Sequence, residues 1–207
     1  MGILNKFFNQ TRKPEGFLGK VMASGMNSGS HAKLANFGFA LLPSLEVRRA
    51  VDLGCGGGRN VGELLRRFEN SSVTGVDYSQ VSVETARKYN KKYADRCTIL
   101  QGDVSNLELE KDAFDLATAF ETIYFWPGLE KCFKNVFDVL KTGGYFLITN
   151  ESDGMDETGK KFESIIDGMK VYTAKEIEQA LENAGFTVEK SVHHEKNPWV
   201  SILAKKI

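Results

Sequence analysis

Ala50-Val51-Asp52-Leu53 runs straight into Gly54-Cys55-Gly56-Gly57-Gly58, so four glycines in five residues follow a short apolar segment. Glycines crowd together like this where a backbone must turn tightly or lie against a ligand without Cβ interference. The segment before them reads as a strand. After the bend, Val61, Leu64, Leu65 and Phe68 recur at i, i+3, i+4 and i+7, the stripe of a helix lying on a sheet. The bend therefore leads into a helix N-terminus, whose unpaired N–H groups favour negative charge. A second apolar strand, Ser72 to Val76, is closed by Asp77. That carboxylate, roughly 20 residues past the glycines, is placed to accept from a ribose diol.

Spacing separates the nucleotide readings. From Gly54 and Gly56, the dinucleotide fingerprint G-x-G-x-x-G needs its third glycine where Arg59 stands. A P-loop is excluded because no Gly-Lys-Ser/Thr follows. The pattern present is acidic-x-Gly-x-Gly-x-Gly: Asp52, Gly54, Gly56, Gly58.

The rest of the chain continues the alternation of strand and helix. Ser79 to Tyr93 reads as a helix opened by a serine cap, and Cys97 to Leu100 as a third strand ending in Gln101-Gly102-Asp103-Val104. Ala113 to Phe120 is a nearly continuous apolar strand suited to the centre of a parallel sheet, running into Glu121-Thr122-Ile123-Tyr124-Phe125-Trp126-Pro127. A helix over 129–140 places Leu129, Cys132, Phe133, Val136, Phe137 and Leu140 on one face, and Leu140-Lys141-Thr142-Gly143-Gly144 turns into a fifth strand. A polar loop from Asn150 to Gly159 precedes a helix marked by Phe162, Ile165, Ile166 and Met169. Thr173-Ala174-Lys175-Glu176 is a capping box, and its helix stops at Gly185. Phe186 to His193 and Trp199 to Ala204 then form a hairpin at the sheet edge. Ahead of all this, residues 1–14 are a polar, basic arm, and residues up to 42 carry apolar positions at helical spacing, interrupted at Ser24 to Ser30, with Ser30 a candidate cap.

The ordered set Asp52, Gly54/Gly56/Gly58, Asp77, Asp103 and Gly143-Gly144 resembles the class I S-adenosyl-L-methionine (SAM)-dependent methyltransferases, over roughly residues 48–150. The resemblance implies an α/β Rossmann-like, doubly wound, seven-stranded sheet, mostly parallel with an antiparallel C-terminal edge hairpin, plus an N-terminal helical lid. It implies an arm and lid at 1–42 and a SAM-binding domain at 43–207. It implies SAM as cofactor and S-adenosyl-L-homocysteine as product. Held over by the same resemblance, the cofactor-binding set is Asp52, Gly54, Cys55, Gly56, Gly58, Asp77, Tyr78, Asp103, Val104 and Phe120, with Asp77 on the ribose and Asp103 and Val104 on the adenine. Met26, Asn27 and His31 become lid candidates.

A methyl acceptor must then meet the tip of the fourth strand. Glu121 is the nearest candidate base, and Tyr124 a candidate to orient the acceptor by a hydrogen bond. Phe120, Tyr124, Phe125 and Trp126 would shape a dry site or hold a cation on their ring faces, with Phe125 expected instead to pack under the following helix. His193 and His194 are expected to be exposed. The Asn/Asp-Pro-Pro-Tyr/Phe signature of DNA adenine methyltransferases is absent after the fourth strand, as are the paired cysteines of arsenite methyltransferases and the acidic cluster of catechol-type enzymes. No metal is expected, and a small-molecule acceptor fits best.

Composition agrees with these exclusions. Lys+Arg and Asp+Glu both total 27, giving no bulk charge to attract nucleic acid or an anionic membrane. Cys55, Cys97 and Cys132 are scattered, which suits a reducing, cytoplasmic setting, and no apolar run reaches signal-peptide or membrane-spanning length. Two other readings stand beside the enzyme. One is a non-catalytic SAM-binding sensor or partner module; the other, disfavoured by Arg59, is a nicotinamide-dependent oxidoreductase.

Overall fold

The computed structural model describes residues 29–207, and the expected lid positions Met26 and Asn27 lie outside them. Seven strands form one sheet: β1 (Arg49–Leu53), β2 (Ser72–Asp77), β3 (Cys97–Gln101), β4 (Phe114–Phe120), β5 (Leu140–Asn150), β6 (Phe186–His193) and β7 (Val200–Lys206). Their order is β3-β2-β1-β4-β5-β7-β6. The pairs from β3 to β5 are parallel, and β7 runs antiparallel between β5 and β6. This is the expected Rossmann-like, doubly wound sheet with an antiparallel edge hairpin. Strand order reverses between β1 and β4, and open α/β sheets bind ligands at the carboxyl ends of strands flanking such a reversal.

Helices cover both faces because the central strands are buried on both sides; Leu116, Ala117, Thr118 and Ala119 of β4 are all inaccessible. One face carries α1 (Gly29–Phe39), α2 (Arg59–Arg67) and α3 (Gln80–Tyr89), whose Ala35, Phe39, Val61, Leu64, Leu65, Val83 and Ala86 join Leu116 and Leu147 in one core. The other carries α4 (Leu129–Val139) and α6 (Ala174–Asn183), packed around Phe133, Phe146 and Ile148. There the rings of Phe133 and Phe146 meet edge to face at 5.5 Å. Burying each such ring contributes roughly 1.5–3 kcal/mol. Short α5 (Glu157–Ile165) lies between β5 and α6 in sequence.

Several local expectations are met by named contacts. Ser79 caps α3 by accepting from Ser82 N, and Thr173 with Glu176 forms the capping box of α6. Gly38 lets α1 approach the sheet closely, since a Cβ there would stand 2.1 Å from Thr149 Oγ1.

Other boundaries differ from the sequence reading, each for a physical reason. The helix expected to reach Tyr93 stops at Tyr89, because the Asn90 amide turns back to donate to Gly58 O (2.8 Å) and Ala86 O (3.1 Å). A 3₁₀ turn, Lys91–Tyr93, follows. α5 begins inside the stretch read as loop, capped by Asp156, which accepts from Gly159 N at 2.7 Å, and it ends before Met169. The Gly143-Gly144 bend lies within the bounds of β5: pairing jumps from Phe114↔Leu140 to Leu116↔Tyr145 while Gly143 takes φ +82°. β7 continues two residues past Ala204, because the Lys206 ammonium is held by Leu140 O (2.7 Å), Phe137 O (2.9 Å) and Asp112 (2.7 Å). Finally, α1 starts at Gly29, placing Ser30 in its first turn rather than ahead of it.

Candidate active site

β1 ends at Leu53 and the chain turns through three left-handed glycines, Gly54 (φ +75°), Gly56 (φ +51°) and Gly58 (φ +83°), before α2 begins at Arg59. A side chain in this conformation costs roughly 1–2 kcal/mol per residue, so the glycines are a backbone requirement. Neighbours add a steric one. A Cβ at Gly54 would stand 1.9 Å from Thr122 Oγ1, which places the residue just beyond β4 directly against the bend. At Gly58 it would meet Ala86 Cβ and Asn90 Nδ2, both at 2.7 Å, so this glycine serves the packing of α2 on α3. Gly54 N and Cys55 N donate to Val76 O at 2.7 and 3.0 Å, fastening the bend to β2.

Asp77, at the tip of β2, faces that bend. Its Oδ2 accepts from Gly56 N at 2.8 Å and its Oδ1 from Ser79 N at 2.9 Å. Burial raises its pKa against these two donors. Beside it, Tyr78, Gln101, Gly102 and Asp103 line a cleft of about 300 Å³. Asp103 Oδ1 accepts from Ser105 N at 2.8 Å, and Val104 is buried, its carbonyl accepting from Asn135 at 2.9 Å. The two acidic residues therefore stand at the same edge of the sheet, after the parallel neighbours β2 and β3, with Asp77 against the bend.

Other members of the expected set lie deeper. Asp52 is 2 % exposed and accepts from Thr118 Oγ1 at 2.7 Å; burial first, and then the nearby Asp77, push its carboxyl up to about 7 against that hydrogen bond. Cys55 is buried too, which pushes its thiol up and keeps it neutral. Phe120 packs its ring 4.9 Å from Phe39 of α1. Tyr124 is buried with its hydroxyl accepting from Ser152 N at 3.0 Å, and burial raises its pKa. Trp126, rather than Phe125, is the aromatic that packs against α4: it contacts Phe133 and stacks on Phe146, while Phe125 stays half-buried at the end of the 3₁₀ turn Ile123–Phe125. His194 is half-buried between Phe37 and Trp199 (centroids at 5.2 and 4.8 Å), not exposed, whereas His193 is exposed.

At the mouth of this edge stands a group that sequence spacing does not reveal. Glu121 is one of two non-glycine residues with positive φ among the described residues (+57°), and its Oε2 lies 2.7 Å from Nδ1 of His31 on α1. Glu151, just past β5, lies close to Glu121; burial and the neighbouring Glu121 carboxylate raise its pKa. Glu121 also raises the pKa of His31, while Arg59 acts on that imidazole in the opposite sense. Sequence reasoning named His31 and Glu121 separately. Their pairing across 90 residues, Glu151, and the Thr122 contact with Gly54 had no local signal.

Residues 46–204 match the family model described as a methyltransferase domain. The chain belongs to the class I SAM-dependent methyltransferases. Among curated relatives of this methyltransferase, a sterol 24-C-methyltransferase of Clavispora lusitaniae is 33% identical over 155 residues, covering 70% of this chain and 41% of the relative. The chain thus spans about two fifths of the length of the curated relatives it matches. Many solved structures share the fold, two of which illustrate it. A SAM-dependent methyltransferase from Aquifex aeolicus aligns at TM-score 0.76 and 18% identity, covering 91% of this chain and 98% of that one. Geranyl diphosphate C-methyltransferase from Streptomyces coelicolor A3(2) aligns at 0.72 and 17%, covering 85% and 76%.

SAM is the family's cofactor, and the residues present fit it. A cradle at Gly54 and Gly56 free of Cβ atoms, a carboxylate at Asp77 facing that cradle, and a neighbouring cleft bearing Asp103 are features that a nucleoside cofactor with a polar tail would need.

Proposed function

We propose that this methyltransferase alkylates a small, largely apolar acceptor at the carboxyl ends of β1, β4 and β5. The Asp77 carboxylate, hydrogen-bonded to the Gly56 N–H, is the observation that carries the reading. When bound, SAM supplies an electrophilic methyl group on a sulfonium.

In this reading Gly54 and Gly56 admit the cofactor's tail to the backbone, Asp77 accepts from the ribose hydroxyls, and Asp103, Tyr78 and Val104 hold the purine. Asp52 and Cys55 shape the bend from beneath, Gly58 sets the direction of α2, and Phe120 seats α1. Helix α1 is the part of the expected lid that lies over the sheet, docked through Phe39 on Phe120. Ile123 and Trp126, both buried, make the floor beneath the β4 tip apolar and exclude water. Holding reactants in line is worth up to about 7–11 kcal/mol in favourable systems, so positioning supplies much of the effect. Glu121 takes the proton that the acceptor loses as it gains the methyl. Tyr124 anchors the loop after β5 through Ser152 and keeps its O–H to orient the acceptor.

The acceptor class draws on the relatives: a sterol methyltransferase in sequence and a geranyl diphosphate methyltransferase in fold. An alkene carbon of a sterol or isoprenoid is the first choice. The equal charge totals of 27 argue against a nucleic acid partner, and the cysteines, all free, suit a cytoplasmic setting. No helix among the described residues is long and apolar enough to cross a membrane.

The test supplies the purified protein with methyl-labelled SAM and, separately, a sterol bearing a side-chain double bond, geranyl diphosphate, and a polar primary amine. Label in the sterol or isoprenoid product is expected. Label in the amine alone would contradict the acceptor class.

A further inference from the structure

His31 on α1 and Glu121 at the tip of β4 meet at 2.7 Å beside the glycine bend, and Glu151, in the loop after β5, is near enough for its charge to act on both. Glu121 adjoins Thr122, the residue that touches the bend at Gly54. Its left-handed φ of +57° is a conformation that bulky residues avoid and that persists where the surroundings dictate it. The side chains are reachable from solvent: His31 is 38% and Glu121 21% exposed. Two carboxyl groups thus share one titratable cation.

We propose that this cluster is the charge-reading element of the cofactor site, exchanging its own proton for the positive charge of a sulfonium. The inference rests on the methyltransferase reading and adds to it a means of telling SAM from its neutral product.

The groups facing His31 are Glu121 and Glu151, which favour its charged form, and Arg59, which opposes it; Glu151 faces Glu121, His31 and Asp156. Without a ligand cation, His31 and Glu151, both shifted toward their protonated forms, offset the acidic charge. A sulfonium brought to the same edge repels the imidazolium proton and stabilises Glu151 as a carboxylate. Both effects release a proton to water, and no bond in the ligand changes. S-adenosyl-L-homocysteine carries a neutral sulfur and offers no such exchange. After methyl transfer the cluster takes its proton back, which weakens its hold on the product.

The test is calorimetric titration of the whole chain at pH near 6.5 in two buffers of different ionisation enthalpy, with SAM, S-adenosyl-L-homocysteine and sinefungin, whose amine replaces the methylated sulfur. The difference between buffers gives the protons released. SAM and sinefungin are expected to release a measurable fraction of a proton, and the homocysteine compound close to none. The double variant H31Q/E151Q is expected to lose the release. E121Q is expected to narrow the preference for SAM over its product by about tenfold, what a one-unit interaction carries. Equal proton release by the cationic and neutral ligands, or undiminished release in the double variant, would overturn the proposal alone. Binding of none of the three compounds would overturn the methyltransferase reading, and the proposal with it.

Discussion

Asp77 Oδ2 accepts the backbone N–H of Gly56 at 2.8 Å, so the tip of β2 and the bend after β1 are joined by the carboxylate that is proposed to meet the ribose. Replacing it removes charge-assisted hydrogen bonds, each worth roughly 1.5–3 kcal/mol. Asp77→Ala is therefore expected to weaken SAM binding by about 10- to 150-fold, measured by calorimetry, with little change in the far-ultraviolet circular dichroism. An unchanged affinity would remove Asp77 from the site.

Gly54 and Thr122 are in mutual contact, and this contact sets how closely β4 approaches the bend. Gly54→Ala adds a Cβ 1.9 Å from Thr122 Oγ1 at a φ of +75°. The left-handed conformation and the overlap together are expected to destabilise the fold by about 2–4 kcal/mol. Adding Thr122→Ala, which removes Oγ1 and Cγ2, is expected to return part of that loss in urea denaturation. Strictly additive losses would show that the two residues do not press on one another.

Asp52 gives a pH dependence of known sign. Its carboxyl is pushed up to about 7 from an ordinary 3.8, chiefly by burial, so the native state holds the proton more tightly than the unfolded chain. Stability from this group is highest at low pH, falls as pH rises from about 4 to about 7, and then levels. Asp52→Asn cannot ionise but can still accept from Thr118. Relative to the parent it is expected to gain stability across that window, by up to about 4 kcal/mol at pH 8, and to converge with it near pH 4. A difference independent of pH would show that Asp52 carries no such burden.

The fold was legible wherever one short stretch carried its own physical instruction. The glycine bend, the near-continuous apolarity of β4, the Ser79 cap and the Thr173/Glu176 capping box each gave an element that the structure contains. Boundaries slipped where a distant partner decided them. Asn90 ends α3 because Gly58 stands within reach of its amide, and Lys206 lengthens β7 because Leu140 and Phe137 present carbonyls to it. The cap of α5 was missed although Asp156 is of a suitable type, because the surrounding polar residues masked a weak apolar stripe. Asp77 and the glycines, the proposed cofactor contacts, stand where spacing placed them, at a strand tip and in a bend. His31 against Glu121 could not be placed in this way, since no periodicity connects residues 90 apart.

The capping box supplies a control remote from the site. Thr173→Ala removes a hydroxyl that accepts from Glu176 N and donates to Glu176 Oε2. A loss of about 0.5–2 kcal/mol in stability is expected, with SAM affinity unchanged. A matching loss of affinity would mean that α6 reaches the site.

The central claim is that the bend, Asp77 and Asp103 together hold an adenosyl sulfonium compound rather than a dinucleotide. Titration of the purified chain with SAM, S-adenosyl-L-homocysteine and NADH tests it directly. Saturable binding of the first two, lost in Asp77→Ala, with no response to NADH, is the result this account gives. Tight binding of NADH with no response to either adenosyl compound would contradict it.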